Sequence, residues 1–121
     1  MTPNLEQLTR AYVEAMSSHD FEGLTGLLHE DVEFRGPFVT LRGAQHYLGA
    51  LRRVDAVRLR NDLTRIFVDG RESCVFYDWV TNVDAVVVPS VEWLQFDGDR
   101  IRSTRLHFDR ETFAPVREKL M

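Results

Sequence analysis

A long β-hairpin predicted in the second half of the chain most constrains its fold. β-Branched and aromatic residues fill 86–96, an Asp97-Gly98 pair follows, and a second such run covers 101–109. This pattern is the strongest short-range signal for two antiparallel strands. Strand alternation places Glu92 on the same face as Leu94 and Phe96. A carboxyl group on that apolar wall either points to solvent or is held in a pocket, and this choice is the main functional question.

The register of this hairpin decides which residues share a face with Glu92. A two-residue turn at Asp97-Gly98 would place Glu92 opposite Ser103. A three-residue connection with a bulge would instead bring three other residues to the Glu92 face: Thr104, Leu106 and Phe108. We favour the second register because it collects apolar side chains on one face. It leaves Arg105, His107 and Asp109 on the outer face.

The first half of the chain predicts three helices. The first begins at Thr2-Pro3, a hydroxyl cap followed by a proline at the first helical position. Tyr12 lies on its apolar stripe, where the hydroxyl is either satisfied within the core or directed into a cavity. Asp20 caps a short second helix, and a third covers residues 44–53. The third helix carries Tyr47 and Leu51 on its stripe, with His46 one position off it.

The remaining segments predict strands. Residues 32–35 form a short one that includes Phe34, and the pattern then changes to strand alternation over 57–68 and 73–83, the latter carrying Tyr77 and Trp79. A polar tail ends the chain. The predicted fold is α+β, with a curved antiparallel sheet around three N-terminal helices. Both sheet faces carry aromatic residues, so we expect a homodimer that covers the outer face.

Composition restricts the class of protein. The 121 residues suit one domain spanning 1–121, with 44% hydrophobic and 28% charged residues. The net charge of -4 and scattered basic residues argue against binding nucleic acid or an anionic membrane. The basic stretch of Arg52, Arg53, Arg58 and Arg60 is interpreted as a solvated face, with an anion site as the less favoured alternative. A single cysteine and no leader or apolar span favour a cytoplasmic protein.

Motifs for metals, nucleotides and nucleophiles do not occur in the sequence. Its four histidines show no ligand spacing, and there is no phosphate-binding loop, dinucleotide fingerprint or nucleophile elbow. We therefore expect no metal and no cofactor. Tyr12 and Glu92 remain as candidate catalytic residues. A buried neutral glutamic acid beside a tyrosine hydroxyl can donate to a developing enolate, whereas the alternative is a glutamate paired with an arginine across the hairpin.

Four segments carry a family resemblance: RAYVEAM at 10–16, DFEGL at 20–24, LLHEDVEF at 27–34 and LRG at 41–43. In this order they resemble the nuclear transport factor 2-like superfamily, and are most similar to its SnoaL-like and ketosteroid-isomerase-like branch. The resemblance extends over nearly the whole chain, to residues 101–109. It implies a cone-shaped α+β barrel with a pocket between the helices and the sheet. It is specific for fold and weak for function, because this fold hosts many activities.

The resemblance also implies roles for single residues. Tyr12 matches the isomerase's hydrogen-bonding tyrosine, and Glu92 falls where that family has its protonated acid. The family's general base is an aspartate at the position that Gly36 occupies here. The limonene epoxide hydrolase pattern is not matched, since Leu106 stands at its last-strand acid.

Three functional hypotheses follow. The first is a pocket protein that binds an apolar, carbonyl-containing small molecule. The second is an enzyme of the isomerase or cyclase kind in which Tyr12 and Glu92 stabilise an oxyanion and His46 or a substrate group moves the proton. The third is a non-catalytic dimerisation domain. The missing base favours the first over the second. The expected ligand-binding residues are Phe34, His46, Tyr47, Leu51, Tyr77, Trp79, Leu94, Leu106 and Phe108.

Overall fold

The computed structural model describes residues 3–121, which form four helices and a six-stranded sheet. The elements in chain order are α1 (Leu5–Ser17), α2 (Phe21–Leu27), β1 (Leu28–Arg35), β2 (Thr40–Arg42), α3 (Ala44–Asp55), β3 (Arg58–Asp69), β4 (Glu72–Thr81), β5 (Val87–Asp97), β6 (Arg100–Phe108) and α4 (Arg110–Leu120). The α+β class with a curved sheet is confirmed. The main core lies between the helices and one face of this sheet.

The sheet is open, with the strand order β2-β1-β6-β5-β4-β3. Strands β3 to β6 form an antiparallel meander, as the hairpin signals predict. The pair β1 and β6 is parallel, so the sheet is mixed and not purely antiparallel. The reason is connectivity: the chain leaves β1 through β2 and α3 and reaches β6 only after the whole meander, and such long connections do not force neighbouring strands to alternate in direction.

The β5–β6 register brings the favoured set of residues to the Glu92 face. Glu92 pairs with Leu106 and Leu94 pairs with Thr104, with a register shift between Gln95 and Phe96. The connection itself is shorter than predicted, since Asp97 pairs with Arg100 and only two residues form the loop. The first of these, Gly98, has a φ of 61°. The bulge therefore lies inside the ladder and not in the turn.

The helix starts agree only in part with the sequence predictions. Asp20 caps α2, because its side chain accepts from the backbone N–H of Gly23 at 2.9 Å. The cap of α1 is Asn4, whose side chain accepts from the N–H of Gln7 at 3.0 Å. Pro3 precedes this cap instead of occupying the first helical position, and the predicted cap Thr2 lies outside the described residues.

The predicted polar tail is instead the helix α4. Asp109 caps it by accepting from the backbone N–H and the hydroxyl of Thr112, at 3.1 and 2.6 Å. These hydrogen bonds lower the pKa of the Asp109 carboxyl. Phe113 and Val116, three residues apart, are buried on one side of the helix. This apolar pair fixes α4 against the open end of the sheet, next to Trp79 and Phe108.

Candidate functional site

Glu92 lies at the centre of a buried group of hydroxyls. Its side chain is in the middle of β5, and the residue is 1% exposed. Its Oε1 accepts from the Tyr77 hydroxyl at 2.5 Å, and its Oε2 accepts from the hydroxyls of Tyr12 at 2.9 Å and Thr104 at 2.6 Å. Three hydroxyl donors satisfy a buried carboxylate without a positively charged partner. The alternative of an arginine paired with Glu92 across the hairpin is wrong.

The fold brings these groups together from three directions. Tyr77 and Thr104 lie on the two strands that flank β5, each diagonally across from Glu92. Alternation along the strands directs all three side chains to the concave face. Tyr12 reaches Glu92 from the helical layer, because it lies on the buried stripe of α1. The predicted meeting of Tyr12 and Glu92, eighty positions apart, is therefore found in the structure.

A third tyrosine extends this group toward α3. The Tyr47 hydroxyl is hydrogen-bonded to the Tyr12 hydroxyl, and its ring stacks on Phe34 with 4.7 Å between the ring centroids. The five side chains Glu92, Tyr12, Tyr47, Tyr77 and Thr104 are called the Glu92 cluster below.

Burial keeps the three tyrosines neutral. It raises the pKa of Tyr12, Tyr47 and Tyr77 well above the ordinary value, and the charge of Glu92 raises each of them further. With Glu92 ionised, Tyr12, Tyr77 and Thr104 donate to it, and Tyr47 donates to Tyr12. All four hydroxyl protons are then used inside the cluster. A hydroxyl proton becomes free for a ligand either when Tyr47 turns away from Tyr12 or when Glu92 itself is protonated.

A cavity of about 350 Å³ opens beside this cluster. It lies between the concave face of the sheet, α3 and α4, and its wall is mainly aliphatic and aromatic. Glu92, Tyr47 and Tyr77 form its polar end. Seven of the nine predicted ligand-binding residues line it: Phe34, Tyr47, Leu51, Tyr77, Trp79, Leu106 and Phe108.

Three predicted site residues lie outside the cavity wall. Tyr12 is behind Glu92, fully buried in the core. Leu94 is also fully buried, and its position on β5 places it farther along the concave face, beyond Glu92. His46 is exposed, and its Nδ1 lies 2.9 Å from the carbonyl oxygen of Arg42. It is one position off the apolar stripe of α3, so the helix directs it away from the cavity.

Sequence reasoning missed other lining residues. Gly36 borders the cavity, so the position that the resemblance gives to the family base carries no carboxylate, and a Cβ there would meet the Phe34 ring at 2.9 Å. Phe113 belongs to the wall through α4, which was interpreted as a tail. Arg58 also lines the cavity, although its neighbours in sequence made it part of a solvated charge run. The signal for Arg58 was its place between Val57 and Leu59 at the start of a strand, which is too short a pattern to fix a face.

The part of the chain that the structure describes contains neither a metal-ligand cluster nor a membrane-spanning helix. Residues 3–121 bring together no three His, Cys, Asp or Glu side chains that could hold a metal ion. None of the helices within these residues is long and apolar enough to cross a membrane.

A model of the SnoaL-like domain family matches residues 9–104 of this chain. That segment contains α1 from Thr9 onward, the sheet up to Thr104 of β6, and every member of the Glu92 cluster. No curated protein matches the sequence.

Solved structures share the fold at low sequence identity. A nuclear transport factor 2-like protein of unknown function from Cytophaga hutchinsonii is 17% identical over 94% of this chain and 97% of its own, with a TM-score of 0.81. A protein with a ketosteroid isomerase-like fold from Catenulispora acidiphila, in complex with trimethylamine, is 18% identical over 95% and 93%, with a TM-score of 0.79. A provisionally assigned SnoaL-like polyketide cyclase from Shewanella denitrificans is 18% identical over 93% and 96%, with a TM-score of 0.78. At these identities the likeness shows the fold alone.

Proposed function

The chain belongs to the SnoaL-like domain family, and from this premise we propose that it binds a small, apolar, carbonyl-containing molecule in the cavity beside the Glu92 cluster. The observation that carries the proposal is the contrast between the wall of this cavity and its inner end. The wall is mainly aliphatic and aromatic, whereas the inner end presents Glu92 with the hydroxyls of Tyr47 and Tyr77. Apolar pockets with a few convergent polar groups are typical of small-molecule sites.

The size of the cavity fits such a ligand. Its volume of about 350 Å³ lies at the lower end of the range of roughly 300–1,000 Å³ for small-molecule pockets. The ring of Phe34 stacks on Tyr47 and presents a flat apolar wall. The Tyr47 hydroxyl is the group we expect to hold the ligand carbonyl, because Tyr47 lines the cavity and can turn its proton from Tyr12 to a ligand.

The binding proposal is tested by a thermal-shift screen of apolar ketones, followed by titration calorimetry on those that raise the melting temperature. We expect Ala50→Trp, which fills the cavity, to abolish binding. The matched control Ala56→Trp places the same ring at an exposed position outside the cavity and should bind normally. His46→Ala should also bind normally. Binding that survives Ala50→Trp would refute this location.

A variant at the polar end of the cavity tests how the ligand is oriented. Removal of one neutral hydrogen bond costs about 0.5–1.5 kcal/mol, or roughly two- to tenfold in affinity. We expect Tyr47→Phe to weaken a ketone by this factor and to leave the corresponding hydrocarbon unchanged. An equal effect on both compounds would contradict a hydrogen bond to the carbonyl.

A second candidate function is an isomerase or cyclase, and the contact between Tyr12 and Glu92 favours it. Donation to an oxyanion requires a protonated Glu92, and in the ionised state both its oxygens are occupied as acceptors. The test is deuterium exchange at the carbon next to the carbonyl of a bound ketone, followed by NMR. An enzyme should accelerate the exchange, and Glu92→Gln should remove the acceleration. Exchange at the solution rate would exclude this chemistry.

We also propose that two copies pair through the outer face of the sheet. Phe67, Phe76 and Trp93 are 50%, 41% and 40% exposed on adjacent strands of that face. Exposed apolar patches of this kind are typical of contacts between proteins. The occupant is a second copy because the Arg105 guanidinium over the Trp93 ring and the carboxylate of Glu72 bonded to its Nε1 offer complementary charges on the same patch. Light scattering should give a dimer, and Phe76→Glu a monomer, with Glu22→Gln as a surface control.

A further inference from the structure

Arg58 is a buried cation in the wall of the cavity. It is the first residue of β3 and is 7% exposed. Its guanidinium lies over the ring of Trp79, with 4.7 Å from Cζ to the ring centroid. Both residues line the cavity. The ring orients the guanidinium and contributes a cation–π attraction, but it does not neutralise the charge.

No carboxylate pairs with this guanidinium anywhere in residues 3–121. Its hydrogen-bond partner is the Oδ1 of Asn61, which accepts from Nη1. Glu92 carries the opposite charge, but its oxygens are already bonded to three hydroxyls. A buried charge without an ionic partner is costly, so such residues usually have a partner or a function.

Two more donors beside Arg58 lack an acceptor. The Nδ2 of Asn61 and the Nε1 of Trp79 are buried without a hydrogen-bond partner. Their residues are the two that hold the Arg58 guanidinium. Buried polar groups are nearly always satisfied. The Arg58 guanidinium, the Asn61 amide and the Trp79 indole have one acceptor between them, so they form an electropositive corner with donors left unpaired.

The charges around the cavity have the same sign as this corner. Arg53 and Arg117 also line it, both exposed at its rim, and Glu92 is the single carboxylate among its side chains. The lining is therefore net positive, although the whole chain has a net charge of -4. Such a local field concentrates anions at the entrance.

We infer that the ligand is an apolar carboxylate whose anionic group pairs with Arg58, while its body fills the aromatic wall. The inference rests on the proposed function and names the class of molecule that the same cavity takes. A guanidinium fork matches the two oxygens of a carboxylate. A phosphate dianion fits less well, because its second charge would stay unpaired beside Glu92 and the apolar wall. The ligand then spans the cavity from Arg58 to the Tyr47 hydroxyl.

The test compares two probes of the same shape by titration calorimetry at neutral pH: 2-naphthoate, which carries the carboxylate, and 2-acetylnaphthalene, its neutral isostere. A hydrogen bond between charged groups corresponds to roughly ten- to a hundredfold in affinity. We expect 2-naphthoate to bind the unmodified protein tighter by this factor. Arg58→Gln should remove the difference by weakening 2-naphthoate alone, and Arg58→Lys should retain part of it. Arg52→Gln, which changes an exposed arginine outside the cavity wall, is the matched control and should keep the difference.

The outcomes separate this inference from the binding proposal. Equal or tighter binding of 2-acetylnaphthalene to the unmodified protein would overturn the inference and leave the proposed function standing. The absence of binding by both probes and by every ketone in the screen would overturn both. A purely structural Arg58 would appear as a lower melting temperature of Arg58→Gln with the preference for 2-naphthoate retained, and that result also overturns the inference. The comparison of the two probes on the unmodified protein tests the inference even if a variant fails to fold.

Discussion

The Glu92 cluster makes the stability of this protein fall at alkaline pH, and the absorbance of its tyrosines reports that change. The sequence contains three tyrosines, and all three belong to the cluster. Burial raises the pKa of each, and the charge of Glu92 adds to the rise. Every tyrosinate signal from this chain therefore comes from a hydroxyl that the fold keeps protonated.

The sign and size of the effect follow from proton linkage. An unfolded tyrosine ionises near pH 10, whereas these three stay neutral in the folded state well above that pH. Their contribution to stability is complete below pH of about 10 and is lost as the pH rises toward the folded-state values. Each tyrosine lowers the free energy of unfolding by about 1.4 kcal/mol per pH unit in that window, or about 4 kcal/mol per unit for three. A stability of about 5–15 kcal/mol is then exhausted within roughly one to four pH units.

The assay follows tyrosinate absorbance and far-ultraviolet circular dichroism in parallel as the pH is raised. We expect little tyrosinate at pH of about 10 and a steep rise that coincides with loss of the circular dichroism signal. The same chain in concentrated urea should titrate three tyrosines gradually around pH 10. Tyrosinate that forms around pH 10 while the circular dichroism stays native would refute the buried hydroxyl cluster.

Further substitutions separate the cluster, the core and the helix that covers the cavity. Tyr12→Phe should lower the free energy of unfolding by about 2–3 kcal/mol in urea, because the buried Glu92 loses a donor that water cannot replace. Tyr77→Phe should cost less, because Tyr77 lines the cavity and water can reach the place of its hydroxyl. Equal costs of the two variants would contradict this difference in water access. Leu94→Ala should cost about 2–5 kcal/mol without changing ketone affinity, since Leu94 is core and not cavity wall; weakened binding would show otherwise. Phe113→Ala should remove hydrogen-exchange protection from α4 while the sheet keeps its protection, because this ring packs on the aromatic residues below it; uniform loss would mean that α4 folds with the sheet.

The sequence predicted those features that short periodic patterns determine. The alternation of β5 and β6 was sufficient to select the bulged register that sets Leu106 and Thr104 on the Glu92 face. The apolar stripe of α1 placed Tyr12 toward the sheet. Their direct contact followed from the family resemblance and not from periodicity, because eighty residues of chain separate the two side chains.

The features that sequence reasoning missed depend on tertiary contacts. α4 is held mainly by Phe113 and Val116, with Leu120 partly buried, and three such positions among five charged residues and a proline give a weak helical pattern. Arg58 begins β3 just after the two residues that follow α3, and the turn over residues 56–57 decides to which face of the sheet its side chain points. His46 was counted with its neighbours Tyr47 and Leu51, although one position on a helix is a rotation of about 100°. For Arg58 and His46 the missing information was the orientation of the side chain, whereas for α4 it was the packing that stabilises the helix.

The charged side chains give a ligand one preferred orientation in the cavity, which the apolar wall alone would not. The oxygens of Glu92 already accept hydrogen bonds from hydroxyls that it holds in place, so it offers a ligand little unless Tyr47 or its own protonation frees a donor. Arg58 is the opposite case, a buried donor group with one amide oxygen as its partner. A molecule that enters gains most by turning its anionic group toward Arg58, and any contact with the Tyr47 hydroxyl adds less because that proton must first leave Tyr12. Recognition at this site is therefore expected to depend on Arg58 more than on Glu92, and Glu92 matters chiefly by holding the three tyrosines in register.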